Sequence, residues 1–362
     1  NAMVNPGAIT ATSMVQGENG EAQWANIINT YSDFAGRDLA VLEDIKTGKA
    51  CGKDGQRPEY YKAIADLEIA SSAQVFDIFL DIIHKVWEEG AIPSGWHDNI
   101  LSVIYKRKGK KSDLNNYRGI MLKAVAVKIL GALIQRRLQR ILKEEGLPEQ
   151  EGFTFQKAGR NATFSLKSAL QKRAEHGLGS WVAFIDLVKA FDSVPRAALF
   201  TVLQKFGVPP RMLSVLQALH EGVRVELKVA DEKRYFDSTT GVLQGSTEAP
   251  ALFVLYFQAC LEVYDMDAQE CTPEFQTAPD EVLTGRDTRK LHRGQSPFKF
   301  GLSLFADDAA VLWQSREDLQ SGMIRLHDVL RDFGLTMHLG RDGVESKTVC
   351  VYFPPRKATV AK

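Results

Sequence analysis

The 362-residue sequence has no long apolar run and no net charge, with 45 basic and 45 acidic residues. No run approaches the ~20 apolar residues that a membrane-spanning helix needs, and the opening residues lack the charged and apolar segments of a signal peptide. These absences argue against membrane insertion and secretion. Residues 1–3, Asn-Ala-Met, look like a vector remnant, and we expect residues 1–20 to be a lead without regular order.

Cysteine is also scarce. The four cysteines are Cys51, Cys260, Cys271 and Cys350. They form no C-x-x-C pair, and no histidine stands near them at the spacing of a zinc site, which argues against a structural zinc centre. We expect reduced thiols and therefore an intracellular protein.

The zero net charge hides an uneven distribution. Residues 101–173 carry 17 Lys or Arg against 5 Asp or Glu, a local excess of 12 positive charges (17 − 5). A basic face of this extent suits a protein that binds a polyanion such as nucleic acid. For the helix residues Arg136, Arg137 and Arg140, a solvated face is favoured over direct phosphate contact.

Apolar periodicity predicts a mixed α+β fold. Helical spacing occurs in residues 75–87, 121–145, 197–220, 249–266 and 317–333, and in a basic segment after 161. Strands are predicted in 181–185, 223–229 with a partner through 235, 302–305 and 309–313, with a final pair in 335–353. The polar stretch 267–296 is expected to be an irregular insertion. We expect an antiparallel sheet backed by helices, beside a mainly helical region.

Three aspartates stand where a folded protein tolerates charge least. Asp186 ends an apolar strand, and Asp307 and Asp308 are adjacent between two apolar runs. Burying unpaired carboxylates is costly, and a divalent cation would offset their charge. Oxygen ligands favour magnesium, and two such ions about 3.5–4 Å apart promote phosphoryl transfer. From spacing alone, however, ordinary turn and capping chemistry is the favoured interpretation.

Six short segments change that balance. Residues 184–194 resemble the first catalytic motif of non-LTR retroelement and group II intron reverse transcriptases, and residues 305–308 resemble their YADD box. The other segments that resemble family motifs are 48–55, 116–120, 241–245 with Pro250 and Phe253, and 334–335 with 346–348. Their order from about residue 40 to 353 is the order of the family, so we identify the sequence as resembling a group II intron-like, non-LTR reverse transcriptase.

The resemblance implies a catalytic centre. Asp186, Asp307 and Asp308 would surround two Mg²⁺ ions, for which Mn²⁺ is a possible substitute, with Asp186 and Asp307 as the more direct ligands. Lys347 matches the candidate general acid that protonates the leaving pyrophosphate. A solvated strand lysine is an equally good interpretation of Lys347.

It also implies contacts to the substrates. Phe191, five residues after Asp186, matches an aromatic steric gate against the ribose 2′-hydroxyl; the alternative is that it fills the core. The other implied contacts are Lys106, Lys108 and Arg118 to the triphosphate, Gln244 to the nucleotide, and Arg160 and Phe305 to template and primer. Phe305 replaces the usual tyrosine, and residues 246–248, Ser-Thr-Glu, replace the usual Cys-Pro-Leu.

The implied architecture is a right-hand polymerase palm with an antiparallel sheet and mainly helical fingers, without a thumb. The expected divisions are fingers 21–174, palm 175–198, a connection with a β-hairpin 199–241, palm 242–353 and a tail 354–362. The implied partners are an RNA template, a DNA or RNA primer and dNTPs, with no membrane. The implied location is the nucleus or cytoplasm, and the nucleus for a eukaryotic element.

Two other functions remain open at this stage. A domesticated, non-catalytic nucleic-acid scaffold would keep the fold and lose the metals, but all three expected carboxylates are present. An RNA-dependent RNA polymerase shares the metal chemistry, yet it typically has GDD where this sequence has FADD, and it lacks the aromatic gate. An RNA-directed DNA polymerase is the function that the sequence favours.

Overall fold

The structure is a computed structural model that describes residues 41–42, 44–65, 70–154, 157, 159–229, 232–268, 272–276, 297–340 and 345–356. Contacts divide the chain into two compact units. Unit 1 comprises Asn1–Gly146 and Lys189–Ala259, and unit 2 comprises Leu147–Val188 and Cys260–Lys362. No helix in the described ranges combines the length and the apolar character needed to cross a bilayer.

The described α-helices are α1 (Pro58–Ala65), α2 (Ala70–Glu89), α3 (Val125–Glu144), α4 (Gly159–Glu175), α5 (Ala190–Ser193), α6 (Arg196–Lys205), α7 (Pro210–His220), α8 (Ala249–Ala268) and α9 (Arg316–Asp332). The described strands are β1 (Asp98–Tyr105), β2 (Tyr117–Leu122), β3 (Ser180–Ile185), β4 (Arg224–Val229), β5 (Glu232–Asp237), β6 (Glu274–Gln276), β7 (Pro297–Lys299), β8 (Leu302–Phe305), β9 (Asp308–Trp313) and β10 (Val349–Phe353). Short 3₁₀ turns span Ser94–Trp96 and Leu114–Asn116.

Unit 1 contains a four-stranded sheet in the order β2-β1-β4-β5. β1 pairs antiparallel with β2 and parallel with β4, and β4 pairs antiparallel with β5. Val223, Val225 and Leu243 form a buried cluster against which Leu101 and Met121 pack. β5 is exposed along its whole length. Its charged residues suit an edge strand, because charges discourage pairing with another sheet.

Two helices supply much of the apolar core of unit 1. α3 buries an apolar stripe that includes Ile129, Leu133 and Leu138, as its helical spacing predicts. The part of α8 in this unit is buried almost all round, and every residue from Ala251 to Phe257 is buried. A helix that is apolar on all sides is a core helix, which matches the sequence expectation for this segment.

A charged pair is enclosed in unit 1. Lys123 and Glu248 are 2% and 1% exposed, and the Nζ atom of Lys123 lies 3.9 Å from Oε1 of Glu248. Among the described residues, neither of these two atoms has a hydrogen-bond partner. Burial lowers the pKa of Lys123, and the charge of Glu248 opposes that shift. Burial and the charge of Lys123 also lower the pKa of His220 to about 4, so this histidine is neutral at pH 7.

Unit 2 is built on an antiparallel sheet in the order β10-β3-β9-β8. One face packs against α4, because Ala169 clusters with Val182, Ala310 and Leu312. Trp313, the residue after Leu312, points to the other face of the sheet and packs against Gly322 of α9. The contact is so close that a Cβ on Gly322 would lie 2.4 Å from the indole nitrogen. β9 is therefore apolar on both sides and reads as a continuous apolar run, as a sheet with two covered faces requires.

The structure confirms most of the expected elements in this unit and in the 197–220 region. The two helices before and after the break there are α6 and α7, and α9 begins with a cap in which the Ser315 side chain accepts a bond from the Asp318 amide. The β4–β5 hairpin and the β8–β9 hairpin both form.

Four expectations need correction. The region expected to be mainly helical also contains β1 and β2, which the sequence hides because β1 has no strict alternation of buried and exposed residues. The helix expected from 121 begins at Val125, because 121–122 belong to β2. The strand pair expected in 335–353 is not seen in its described residues (335–340 and 345–353), where β10 is the one strand and pairs with β3. The insertion is not wholly irregular, since β6 pairs with β7; residues 277–296 lie outside the described part.

The helix face was also misread at one position. Arg136 and Arg140 are exposed as expected, but Arg137 is only 8% exposed and lies 4.9 Å over the Trp87 ring. Its aliphatic stem and cation–π contact make it part of the packing. Among the free cysteines, Cys51 is half-buried, Cys350 is exposed and Cys260 is buried. Cys271 lies outside the described residues.

The enclosed pair predicts a specific stability pattern. Lys123→Met or Glu248→Leu alone should lower the free energy of unfolding by about 3–5 kcal/mol, because each leaves one buried charge without its partner. The double variant should cost far less than the sum, since it removes both charges together. Urea unfolding of the four proteins at pH 7 measures the coupling.

An exposed pair in the same unit is the control. Lys85 and Glu89 lie 3.9 Å apart with side chains 71% and 54% exposed. The same two substitutions there should show a coupling below about 0.5 kcal/mol. Additive costs at Lys123 and Glu248 would show that the pair is not energetically coupled.

Candidate active site

Asp186 and Asp308 lie at the same end of the unit 2 sheet. β3 ends at Ile185, which pairs with Ala309 of β9 in an antiparallel ladder. One further step in that register places Asp186 opposite Asp308, and directly opposed residues have Cβ atoms about 4.5–5.5 Å apart. The two carboxylates that the sequence separates by more than a hundred residues are thus cross-strand neighbours.

Asp307 lies in the turn next to this pair. Phe305 pairs with Asp308, so Ala306 and Asp307 form a two-residue connection between β8 and β9. Ala306 is buried and has a left-handed backbone with a φ of 57°. A non-glycine residue in this region carries a conformational cost that the surrounding structure must offset. The tight turn keeps all three aspartates at one end of the sheet.

The electrostatics of the pair include both a like charge and a nearby cation. Desolvation and the negative charge of Asp186 raise the pKa of Asp308. Because the Asp308 residue is exposed at the end of the hairpin, the charge of Asp186 is the part of this shift that bears on cation binding. The ammonium of Lys347 lies 3.7 Å from Oδ2 of Asp186, with side chains 65% and 38% exposed. An ion pair this exposed contributes little to stability.

The segment that carries Lys347 is fixed beside Asp186 by hydrogen bonds. The Asp186 amide donates to Oγ1 of Thr348 at 3.2 Å, and the His338 amide donates to the Asp186 carbonyl at 2.8 Å. The Thr348 amide in turn donates to the His338 carbonyl at 3.1 Å. These bonds bring Lys347 to the carboxylate end of the sheet, next to the strand that the sequence analysis singled out.

The carboxylates fit hard divalent cations. Within the described residues, no three His, Cys, Asp or Glu side chains already converge as a metal centre. Magnesium does not need such a cage, since it keeps several waters and takes one or two carboxylates together with substrate phosphates. The charge of Asp186, which adds to desolvation in raising the pKa of Asp308, is one that a cation would offset. Asp186, Asp307 and Asp308 would supply the oxygen donors.

Phe191 lies in unit 1, in the single turn α5. Its half-buried ring stacks on the buried ring of Phe253, with centroids 4.5 Å apart and an interplanar angle of 20°. Phe253 stacks in turn on Phe257 at 5.8 Å. Packing against Phe253 therefore fixes one side of the Phe191 ring, while part of the residue remains accessible to solvent. This geometry is compatible with both interpretations of Phe191, a steric gate for the sugar and a residue that fills the core.

Gly241 and Val242 support the turn that carries Phe191. The Val242 amide donates to the Phe191 carbonyl and the Gly241 amide to the Val194 carbonyl, each at 2.9 Å. Gly241 has a φ of 78°, and a Cβ there would lie 2.7 Å from the Asp192 Cα. Only glycine allows this close approach of two backbone segments.

Arg196 is a residue of this region that the sequence analysis missed. Its guanidinium donates to the Gly241 carbonyl at 3.0 Å, to the Thr240 carbonyl at 3.2 Å and to the Ser238 hydroxyl at 3.0 Å, and it also donates to the carbonyls of Ser238 and His220. Burial lowers its pKa to about 10, so it stays charged. An arginine at the start of a helix gives no sequence signal for such long-range bonds.

Gln244 contacts the β1–β2 hairpin of unit 1. The backbone carbonyl of Gln244 accepts a hydrogen bond from the Met121 backbone amide at 2.8 Å. Three predicted triphosphate contacts lie on this hairpin: Arg118 in β2 is exposed, and Lys106 and Lys108 lie in the connection between the strands. Gln244 therefore contacts the end of the hairpin at the Leu101–Met121 pair, whereas Lys106 and Lys108 lie beyond the Tyr105–Tyr117 pair at its other end.

Arg160 and Phe305 lie close together in unit 2. Phe305 is 42% exposed, and a Cβ on Gly159 would lie 3.0 Å from its ring. Arg160 follows Gly159 at the start of α4 and is exposed. An exposed aromatic ring next to the backbone that leads to an exposed arginine is a surface that could contact a nucleic-acid strand.

Comparisons of the sequence with known proteins identify its family. Residues 107–340 match the sequence model of a family described as reverse transcriptase (RNA-dependent DNA polymerase). The chain is 24% identical over 300 residues to the "Retrovirus-related Pol polyprotein from type-1 retrotransposable element R2" of Nasonia vitripennis, which covers 82% of this chain and 26% of the relative. It is 25% identical over 294 residues to the "RNA-directed DNA polymerase from mobile element jockey" of Drosophila melanogaster. That match covers 77% of this chain and 28% of the relative. The chain thus spans about a quarter of the length of these relatives.

Because Asp186 and Asp308 repel each other, replacing Asp186 should not lower the melting temperature without metal but should weaken the stabilisation that added metal gives. Asp186→Asn should leave the metal-free melting temperature unchanged or raise it slightly, because it removes a like charge beside Asp308 and only an exposed ion pair with Lys347. Added Mn²⁺ should raise the melting temperature of the parent more than that of the variant. Thermal unfolding at pH 7 with and without Mn²⁺ tests both parts. A clear loss of metal-free stability, or an equal response to Mn²⁺, would contradict the assignment.

Proposed function

Because this chain belongs to the reverse transcriptase (RNA-dependent DNA polymerase) family, we propose that it is the core of an RNA-directed DNA polymerase that adds dNTPs to a primer 3′ end on an RNA template. The observation that carries the proposal is the cross-strand placement of Asp186 and Asp308, with Asp307 in the adjoining turn. Primer extension on an RNA template with Mg²⁺ and dNTPs tests it directly.

The two units would contribute different parts of the polymerase. The antiparallel sheet of unit 2 would form part of the palm, because it bears the three aspartates, and the β1–β2 hairpin of unit 1 would belong to the fingers. The divisions expected from sequence (21–174, 175–198, 199–241 and 242–353) are part of this proposal. The order of the motifs supports a non-LTR, group II intron-like type.

Asp186, Asp307 and Asp308 would hold two Mg²⁺ ions, or Mn²⁺ in their place. When bound, such ions stabilise the attacking and the leaving oxygens of an in-line displacement. The primer 3′-hydroxyl would lose its proton to solvent as its oxygen bonds to the α-phosphorus, and the bond from the α-phosphorus to the oxygen that bridges to the β-phosphorus would break and release pyrophosphate. Lys347, 3.7 Å from Asp186, would donate its proton to the leaving pyrophosphate. The exposed position of Lys347 leaves it accessible to that group.

The nucleotide would be bound by residues of unit 1. Lys106, Lys108 and Arg118 supply positive charge for the triphosphate, and Gln244 would contact the nucleotide. Phe191 would pack under the sugar. In unit 2, Arg160 and Phe305 would contact template and primer through phosphate and stacking interactions. The partners of the reaction are therefore an RNA template, a DNA or RNA primer and dNTPs, inside the cell and in the nucleus for a eukaryotic element.

The two alternatives give different results in the same assay. A non-catalytic scaffold would bind template and primer but would extend nothing at any metal concentration. An RNA-dependent RNA polymerase would extend the primer with rNTPs in preference to dNTPs. The carboxylate pair favours catalysis over the scaffold, and the stacked ring of Phe191 favours dNTPs over rNTPs.

Removal of one carboxylate should abolish catalysis and spare the fold. Asp307→Ala is expected to lower the rate of nucleotide addition by at least about a thousandfold, because the charge that develops at the reacting phosphate would lose its stabilisation. The metal-free melting temperature should change little, since the substitution removes a like charge. The control is Asp328→Ala, which removes an exposed aspartate paired with Arg331 on α9 and should keep the parent rate. Full activity of Asp307→Ala would exclude this site.

Sugar choice tests the role of Phe191. An aromatic ring under the sugar would clash with a ribose 2′-hydroxyl or leave it unpaired, at a cost of about 1–3 kcal/mol. Phe191→Val should therefore lower the preference for dNTPs over rNTPs roughly tenfold or more. If Phe191 only fills the core, both rates should fall together and their ratio should stay constant. Single-nucleotide incorporation by parent and variant distinguishes the two roles.

Phe257→Val is the matched control. Phe257 is buried in the same aromatic stack but contacts Phe253 rather than the proposed sugar position. It should lower stability, as a cavity in the core does, and leave the sugar ratio near that of the parent. A parent that already prefers rNTPs would contradict the reverse transcriptase proposal itself.

A further inference from the structure

Gln150 is a buried polar residue next to the turn that carries the aspartates, and its sequence position gives no hint of that location. It lies in unit 2, after the end of α3, and is 4% exposed. The sequence analysis assigned this stretch no role beyond ending a helix. A glutamine this buried needs partners for both ends of its amide.

Both ends of the amide are used at the Ala306 turn. The side-chain Oε1 accepts the Ala306 amide at 2.9 Å and the Gly152 amide at 2.8 Å. The side-chain Nε2 donates to the Ala306 carbonyl at 3.3 Å. Because two backbone N–H groups point at the same side-chain atom, only one orientation of the amide satisfies them. Gln150 therefore binds the amide and the carbonyl of the residue that precedes Asp307.

The backbone around Gln150 holds the same hairpin. The Leu304 amide donates to the Glu149 carbonyl at 3.1 Å, and the Glu151 amide donates to the Leu304 carbonyl at 3.0 Å. A Cβ on Gly152 would lie 2.3 Å from the Ala306 nitrogen, so this close approach excludes a side chain there. The segment 149–152 thus runs along β8 and ends against the turn.

The geometry points to Gln150 as a positioning residue for the proposed metal-binding carboxylates, an inference that rests on the proposed function. Ala306 has the left-handed backbone that a non-glycine residue adopts only when its surroundings compensate the cost. The Gln150 amide supplies that compensation by satisfying both backbone groups of Ala306. Fixing Ala306 fixes the direction in which the chain enters Asp307 and Asp308. Side chains that orient metal ligands in this way typically change metal affinity by about 10–100-fold when they are lost.

Gln150→Met is the variant that tests the inference, because it keeps the length of the side chain and removes its hydrogen bonds. The matched control is Gln258→Met. Gln258 is 3% exposed in unit 1, and its Nε2 donates to the Glu145 carbonyl at 2.7 Å. Both variants remove a buried amide, and only the first touches the Ala306 turn.

Two measurements on the full chain decide the outcome. In amide hydrogen exchange, Gln150→Met should expose the Ala306 and Gly152 amides, whereas Gln258→Met should leave them as protected as in the parent. In titrations followed by the electron paramagnetic resonance signal of free Mn²⁺, Gln150→Met should weaken binding by about tenfold or more. Gln258→Met should bind Mn²⁺ within about twofold of the parent.

Several results would overturn the inference. These are unchanged protection of the Ala306 amide in Gln150→Met, unchanged Mn²⁺ affinity in that variant, and equal loss of Mn²⁺ affinity in Gln258→Met. A parent without Mn²⁺ affinity would also overturn it. Primer extension is judged separately: a parent that binds Mn²⁺ but extends no primer would refute the proposed polymerase, while exchange and Mn²⁺ binding still decide the role of Gln150.

Discussion

Repulsion between carboxylates at the end of a rigid sheet is the constraint on which the chemistry of unit 2 depends. Desolvation raises the pKa of Asp308, and the negative charge of Asp186 raises it further because the two strands that lead to these residues are neighbours in the sheet. The two strands are hydrogen-bonded to each other, and α4 packs on one face of the sheet near Leu312 while α9 packs on the other near Trp313. This packing keeps the carboxylates at one end of the sheet, where the proposed cations would offset their charge.

Unit 1 buries positively charged side chains, whose cost is offset by neighbouring groups. Glu248 occupies a position where the resembling family has an apolar residue, and it is enclosed with Lys123. A single charge there would be costly, so each residue is tolerated only because the other is present. Arg196 acts similarly on backbone groups, since its guanidinium accepts no bonds and donates to carbonyls around Gly241. In both cases a charge is buried only where its partners are fixed.

The sequence predicted those parts of the fold that a local pattern encodes. The alternation in β4, the apolar runs around the Asp307 turn and the helical spacing of α2, α3 and α9 all sufficed to predict the elements in which they lie. β1 was missed because both its faces are partly buried, and its parallel pairing with β4 joins segments far apart in the chain. The order of strands in each sheet depends on such distant pairing, and periodicity carries no information about it.

The candidate site divides in the same way. Its aspartates were proposed from the resemblance to the reverse transcriptase family, because their spacing alone favours ordinary turn and capping chemistry. Gln150 and Arg196 could not be predicted, since each is an ordinary polar residue locally and acts on backbone groups that lie far away in sequence.

A physical rule nevertheless leads to such residues once the turns are known. A backbone amide at a buried turn has no strand partner, yet it must be satisfied. The Ala306 amide is such a group, because Ala306 is buried and lies between the last paired residues of β8 and β9. A partner for it has to come from outside the hairpin and has to be a side chain or backbone that reaches the turn. Positioning residues of a catalytic hairpin are therefore best sought by asking which atoms satisfy its turn, and in this protein that question leads to Gln150.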